Sequence, residues 1–216
     1  MATFKIRTLA YGKELERVYL EDGETSVTVP DGVTKLGIFA FKGLTTLKEV
    51  ILPDSVEECT THFYDCPALK HIRFSENMPG IGSTCFLRCT GLEEIHLPPN
   101  IREIGNEAFK ECTSLREVVL GEHTDHIWFR VFQGCTALQR VVFQAEFEYI
   151  KPDAFLGCTS LCALDFAVPP KPGSMLYLQL THIFENDPKL ARRMRQAGNL
   201  TGTLEAIAVE ATRHCD

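Results

Sequence analysis

Long apolar runs are missing from this sequence of 216 residues. None approaches the ~20 residues of a membrane-spanning helix, so no membrane insertion is expected. The opening stretch, MATFKIRTLAYGKELERVYL, carries Lys5, Arg7, Lys13, Glu14, Glu16 and Arg17 and lacks the apolar segment of a secretory leader. That gives a cytoplasmic expectation, with surface display or secretion expected instead if a leader has been removed. Excess positive charge is also missing. Lys and Arg number 22 against 29 Asp and Glu, a net charge of −7, which disfavours nucleic acid or an anionic bilayer as partner. The motifs of catalysis are absent too. There is no G-x-S-x-G elbow, and no Gly-Lys-Ser/Thr follows PGIGSTC at 79–85. No spaced carboxylate pair stands out, so neither an enzyme nor a cofactor is expected. Nine cysteines cannot all pair, and a chain of this length does not need staples. In a reducing compartment they read as thiols.

What the chain has is a repeat. Phe41, Phe63, Phe86, Phe109, Phe132 and Phe155 are separated by 22, 23, 23, 23 and 23 residues. Three residues on come Leu44, Cys66, Cys89, Cys112, Cys135 and Cys158, and six on there is always leucine, from Leu47 to Leu161. Nine on come Val50, Ile72, Ile95, Val118, Val141 and Leu164, and eleven on Leu52, Phe74, Leu97, Leu120, Phe143 and Phe166. Five before the anchor stand Leu36, Ile81, Ile104, Ile127 and Ile150; only the second unit, a residue short, breaks this column. The L-x-x-[VI]-x-[LF] segment predicts one short strand per unit with alternate residues buried. The three-residue spacing of F-x-x-C-x-x-L predicts a helical turn with Phe, Cys and Leu on one face. A lone unit buries too little apolar surface to offset the entropy of ordering it, so units must stack and the ends must be capped.

IREIGNEAFKECTSLREVVL (101–120) resembles the BspA-type leucine-rich repeat, I-G-x-x-A-F-x-x-C-x-x-L followed by a strand, and the resemblance covers residues 27–166. Departures are Leu44 for Cys in the first unit, ECTTHF (58–63) in the second and IWFRVF (127–132) in the fifth. The resemblance implies a role in binding and adhesion, often at a cell surface.

The fold class expected is an α/β repeat, a leucine-rich-repeat solenoid with one short parallel strand per 23-residue coil. Residues 1–26 are expected to form a β-hairpin cap, residues 27–166 six repeats, and residues 167–216 a degenerate repeat with a helical cap. IFENDPKL (183–190) copies HFYDCPAL (62–69), placing Phe184 at the anchor and Leu190 six on. Asp187 and Pro188 suit the start of a helix running from about 188 to 197 and stopped by Gly198, and a second helix is expected over 204–214.

The cysteine column predicts a ladder with neighbours about 4.8 Å apart. Parallel Cβ vectors at that spacing do not converge to the ~3.8 Å of a disulfide, and a row cannot surround a tetrahedral metal ion. Leu44 in the same column marks these thiols as small buried hydrophobes. Cys85 falls in an alanine column, which leaves Cys59, Cys162 and Cys215 as the better candidates for reactivity.

Candidate partner-binding residues are those that point out of the strands and those that break a column. Positions eight and ten after the anchor face outward, giving His71/Arg73, Glu94/His96, Glu117/Val119 and Arg140/Val142. Trp128, the single tryptophan, stands where Gly37, Gly82 and Gly105 stand in other units, and Phe129 follows it. An outward-turned indole there would serve as a binding anchor. His123 and His126 in EHTDH read as a solvated loop, and no metal site is expected. Lys189, Arg192, Arg193 and Arg195 are the only hint of nucleic acid and read first as the solvated face of a cap. The sequence points to a non-enzymatic protein-interaction module, with a secreted or cell-surface adhesin as the alternative.

Overall fold

The computed structural model describes residues 1–57 and 62–198. Within them the chain winds as a solenoid. Strands Ser26–Thr28, Glu49–Ile51 and His71–Arg73 form one parallel ladder, and Glu94–His96, Glu117–Leu120, Arg140–Phe143 and Ala163–Phe166 form another. Both use the same repeat positions, and the ladder breaks just after the short second unit. Pairing is coil for coil: Glu117 lies opposite Glu94 and Arg140, and Val118 opposite Ile95 and Val141. The alternation expected from the sequence follows, with Val50, Ile95, Val118 and Val141 buried.

A second parallel ladder runs along another side, formed by Gly80–Ile81, Glu103–Ile104, His126–Ile127 and Tyr149–Ile150. The pattern predicted one strand per coil. The isoleucine column supplies the other, because burying that column at a constant register also brings its backbone within pairing distance.

Turns, not the predicted helical turn, carry the chain between strands. Cys89 N–H donates to the Phe86 carbonyl (3.0 Å) and Leu92 N–H to the Cys89 carbonyl (3.1 Å). The residue two after each anchor is left-handed: Gly43, Asp65, Arg88, Glu111, Gly134 and Gly157. A left-handed third residue belongs to a type II turn and stops a right-handed helix. It also sends that residue's N–H to the next coil, as when Arg88 donates to the Lys110 carbonyl (2.9 Å) and Glu111 to the Gln133 carbonyl (2.8 Å).

The anchor rings form a continuous stack. Successive centroids from Phe41 to Phe155 lie 4.6, 5.1, 5.1, 5.7 and 5.6 Å apart. Beside it runs the thiol ladder, with all five column cysteines buried and unbridged. Each thiol donates to the anchor carbonyl of the preceding coil: Cys66 to Phe41, Cys89 to Phe63, Cys112 to Phe86, Cys135 to Phe109 and Cys158 to Phe132, at 3.0–3.1 Å. The thiols are therefore donors as well as filler. Leu44 fits this rule, since no anchor carbonyl precedes the first coil.

Strands Thr3–Thr8 and Lys13–Tyr19 form an antiparallel hairpin, and the second strand pairs in parallel with Val33–Leu36. Its Leu15 and Val18 are buried, which closes one end of the core. Two helices close the other: α1 (Met175–Asn186) and α2 (Pro188–Gln196). The degenerate seventh repeat is thereby corrected. Phe184 and Leu190 are buried as an anchor and its leucine would be, but they sit on helices. Ser174 caps α1, and Leu176, Leu180, Ile183 and Phe184 follow helical spacing with no left-handed residue to make a coil turn. Asp187 Oδ1 accepts from Leu190 N–H (2.9 Å) at the start of α2, and Gly198 is left-handed just past its end, as expected. The cap satisfies the exposed edge: Ile150 N–H donates to buried Gln179 (2.7 Å), and Arg193 donates to the Cys158 and Leu161 carbonyls (3.2 Å each). The helix expected at 204–214, Cys59 and Cys215 lie outside the described residues.

Gly134→Ala is expected to cost about 1–2 kcal/mol of stability from backbone strain alone, because the nearest atom to an added Cβ is Glu111 Cγ at an ordinary 3.5 Å. Glu111→Gly, at the equivalent left-handed position, is expected to shift stability the other way. Urea unfolding midpoints measure both, and displacement in the same direction would contradict the turn assignment. His62 supplies a pH test. It is fully buried in the column of Ala40 and Ala108, and its Nδ1–H donates to the Gly37 carbonyl (2.8 Å). Burial pushes its pKa down to about 4. The unfolded chain then binds the proton first as pH falls below about 6.5, so stability present above that value is lost down to about pH 4. The loss is about 3 kcal/mol, and His62→Ala is expected to remove that part of the slope between pH 4 and 6.5.

Candidate functional site

The five column thiols do not make a reactive centre. Burial raises Cys66 to about 11 and Cys158 to about 12, and pushes Cys89, Cys112 and Cys135 well above the ordinary thiol value. Thiolate is the nucleophile and the metal ligand, and these sites suppress it. Cys162 is half-buried, with its Sγ 3.5 Å from the Gln139 carbonyl. PGIGSTC is a strand followed by a turn, with Gly80 packed against Glu103 rather than cradling an anion.

The outward strand face is charged and largely self-paired. Arg73 reaches Asp54 (3.3 Å) and donates to the Leu52 carbonyl (3.0 Å). His96 stands 4.0 Å from Glu94. Arg140 bridges Asp165 (2.5 Å) and Glu117 (3.6 Å). His71 is exposed and lines a groove with Lys70, Glu93, Glu94, Arg116 and Glu117. Val119 and Val142 are half-buried neighbours on adjacent strands. On α2, Arg193 turns inward to the last coil, while Lys189, Arg192 and Arg195 remain exposed.

The second ladder holds a different surface. Trp128 follows the backbone path of its glycine column: Gly105 N–H donates to the Ile81 carbonyl, Trp128 N–H to Ile104 and Lys151 N–H to Ile127. The glycine requirement is real at Gly105, where a Cβ would meet Ser83 N at 2.7 Å. At Trp128 the indole is accommodated half-buried, packed on the edge of the core, and is not turned freely outward as the sequence suggested. Its Nε1–H donates to Glu103 (3.0 Å). His126 stacks on it with centroids 6.0 Å apart, and Tyr149 lies 6.1 Å from the indole and 5.9 Å from the imidazole. Phe129, 47% exposed, flanks the group, and Lys151 Nζ sits 4.4 Å from the Phe129 ring and 4.9 Å from Tyr149. His126 and Tyr149 open onto a cleft of about 470 Å³ between the last coil and α1, also lined by Glu146, Glu148, Pro170 and Met175.

Glu103, Tyr149 and Lys151 were not singled out from the sequence. The signal was available: Glu103 and Tyr149 lie 23 residues either side of His126, and Lys151 lies 23 after Trp128. Reading the columns for polar and aromatic residues as well as apolar ones finds them.

A family model described as BspA type leucine rich repeat region matches in six copies, over residues 17–139 and 60–169. The chain belongs to the BspA-type leucine-rich-repeat family. No curated protein matches it. Among solved structures, a leucine-rich repeat protein of T. pallidum is 27% identical with a TM-score of 0.61, covering 75% of this chain and 78% of its own. A leucine-rich cell surface protein of Faecalibacterium prausnitzii is 24% identical with a TM-score of 0.56, covering 76% and 38%. The pneumococcal vaccine antigen PcpA shares the fold at 15% identity with a TM-score of 0.62, covering 81% and 42%. The chain thus spans less than half the length of the last two. BspA-type repeats typically serve as non-enzymatic binding modules.

Proposed function

We propose that this chain is a non-enzymatic protein-interaction module whose main contact surface is the Trp128 corner. One observation carries the reading. Trp128 stands in the column that Gly37, Gly82 and Gly105 occupy in other coils, His126, Tyr149 and Phe129 gather around it, and His126 and Tyr149 open onto the cleft beside α1. Preorganised rings with an exposed edge supply large contact area at little entropic cost, as interface anchors do. Glu103 fixes the indole, so the ring is ordered before a partner arrives. The strand face, His71, Arg73, Glu94, His96, Glu117, Val119, Arg140 and Val142, is the secondary surface. Its mutual ion pairs leave less charge for a partner, and surface pairs of this kind contribute little affinity.

A second reading is a secreted or surface adhesin that binds a host or matrix protein, and the column thiols are compatible with it. Reading the cysteines as thiols assumed a reducing compartment. Buried column thiols with donor bonds to carbonyls stay unpaired in either setting, so that assumption is not needed. The F. prausnitzii protein of the same fold is described as a cell surface protein.

Trp128→Ala is expected to cost about 1–2 kcal/mol of folding stability and to weaken partner binding at least tenfold. Affinity capture from the native source, followed by titration of the captured protein against both forms, measures this. Equal affinity for both forms would contradict the proposal.

A further inference from the structure

Asp125, His126 and Glu148 each present one ligating atom, and these atoms lie within 4.8 Å of one another. The repeat builds this group. Asp125 and Glu148 are equivalent positions on successive coils, 23 residues apart, so stacking brings the two carboxylates together. His126 enters from the adjacent position, and its imidazole packs in a triangle with the rings of Trp128 and Tyr149. Asp125 Oδ1 lies 2.5 Å from His126 Nδ1. Asp125 and His126 are half-buried and Glu148 is exposed, so the group is ordered on one side and open on the other. His126 and Glu148 also line the cleft.

We propose that Asp125, His126 and Glu148 form a binding site for one divalent transition-metal ion of the zinc type. One imidazole nitrogen with two carboxylate oxygens suits such an ion, whereas calcium and magnesium prefer all-oxygen shells. Three protein ligands on one side leave a coordination position for water or for a donor from a molecule seated in the cleft. Ligation through Nδ1 replaces the contact that His126 now makes with Asp125. The proposal is independent of the protein-interaction reading, since it needs no partner.

Trp128, the single tryptophan, is a built-in reporter beside His126. The test uses the untagged full chain with accessible thiols alkylated, titrated with Zn²⁺ alone. Trp128 emission and the metal content after equilibrium dialysis are recorded, with Mg²⁺ as control. One equivalent of Zn²⁺ is expected to bind saturably with a change in emission, and Mg²⁺ is expected to give neither. Glu148→Gln, at an exposed side chain whose loss does not threaten the fold, is expected to weaken Zn²⁺ binding at least tenfold, as are Asp125→Asn and His126→Gln. No saturable binding to the wild type, or a Glu148→Gln affinity within twofold of it, would overturn the proposal.

Discussion

A phenylalanine repeated every 23 residues must meet the same ring one coil away, and the rest of the structure depends on that meeting. Ring separations of 4.6–5.7 Å lie within about 1 Å of the spacing at which parallel strands pair. The stack and both strand ladders therefore share one rise per coil. Where the rings stack, the thiol three residues on comes within reach of the previous anchor carbonyl, and the left-handed residue between them directs its N–H to the following coil. Each coil is thus joined to its neighbours by apolar, thiol and backbone contacts at one set of positions. An isolated coil has none of these, which is why both ends are covered. Leu15 and Val18 pack over one end, and Gln179 and Arg193 satisfy backbone groups at the other.

The legible part of the fold was what recurs as a residue type. Phe, Cys, Leu and Ile columns gave the coil length, the main strands and the buried thiols. Asp187 and Gly198 gave the ends of α2. The less legible part is carried by backbone conformation, for which residue type is a weak signal. The left-handed position is occupied by Gly43, Gly134 and Gly157 but also by Asp65, Arg88 and Glu111, so no single-residue column announces it. Helix α1 was misread as a repeat because Phe184 and Leu190 keep the repeat spacing. A six-residue separation cannot distinguish two helices in sequence from a turn and a strand.

The site shows the same division. Trp128 stood out because a rare residue replaced a column glycine. Its surroundings did not, because Glu103, Tyr149 and Lys151 are unremarkable until they are placed one coil away. A solenoid turns positions 23 apart into contacts, so polar residues that fall in no local motif still assemble. Departures from the apolar pattern gather on the second ladder and in the cleft beneath α1, and there the surface is aromatic, acidic and ordered. The strand face, by contrast, spends its charges on its own neighbours.

Removing one whole coil tests the stacking register most directly. Deleting residues 101–123 joins positions that are equivalent in the repeat, so the strands, rings and thiols of the third and fifth coils should meet as neighbours. The shortened chain is expected to unfold in urea in a single cooperative transition, at a lower midpoint than the full chain. Deleting 19 residues from the same starting point destroys the register and should abolish that transition. Loss of cooperative unfolding in the 23-residue deletion, or its retention in the 19-residue one, would contradict the coil-by-coil structure.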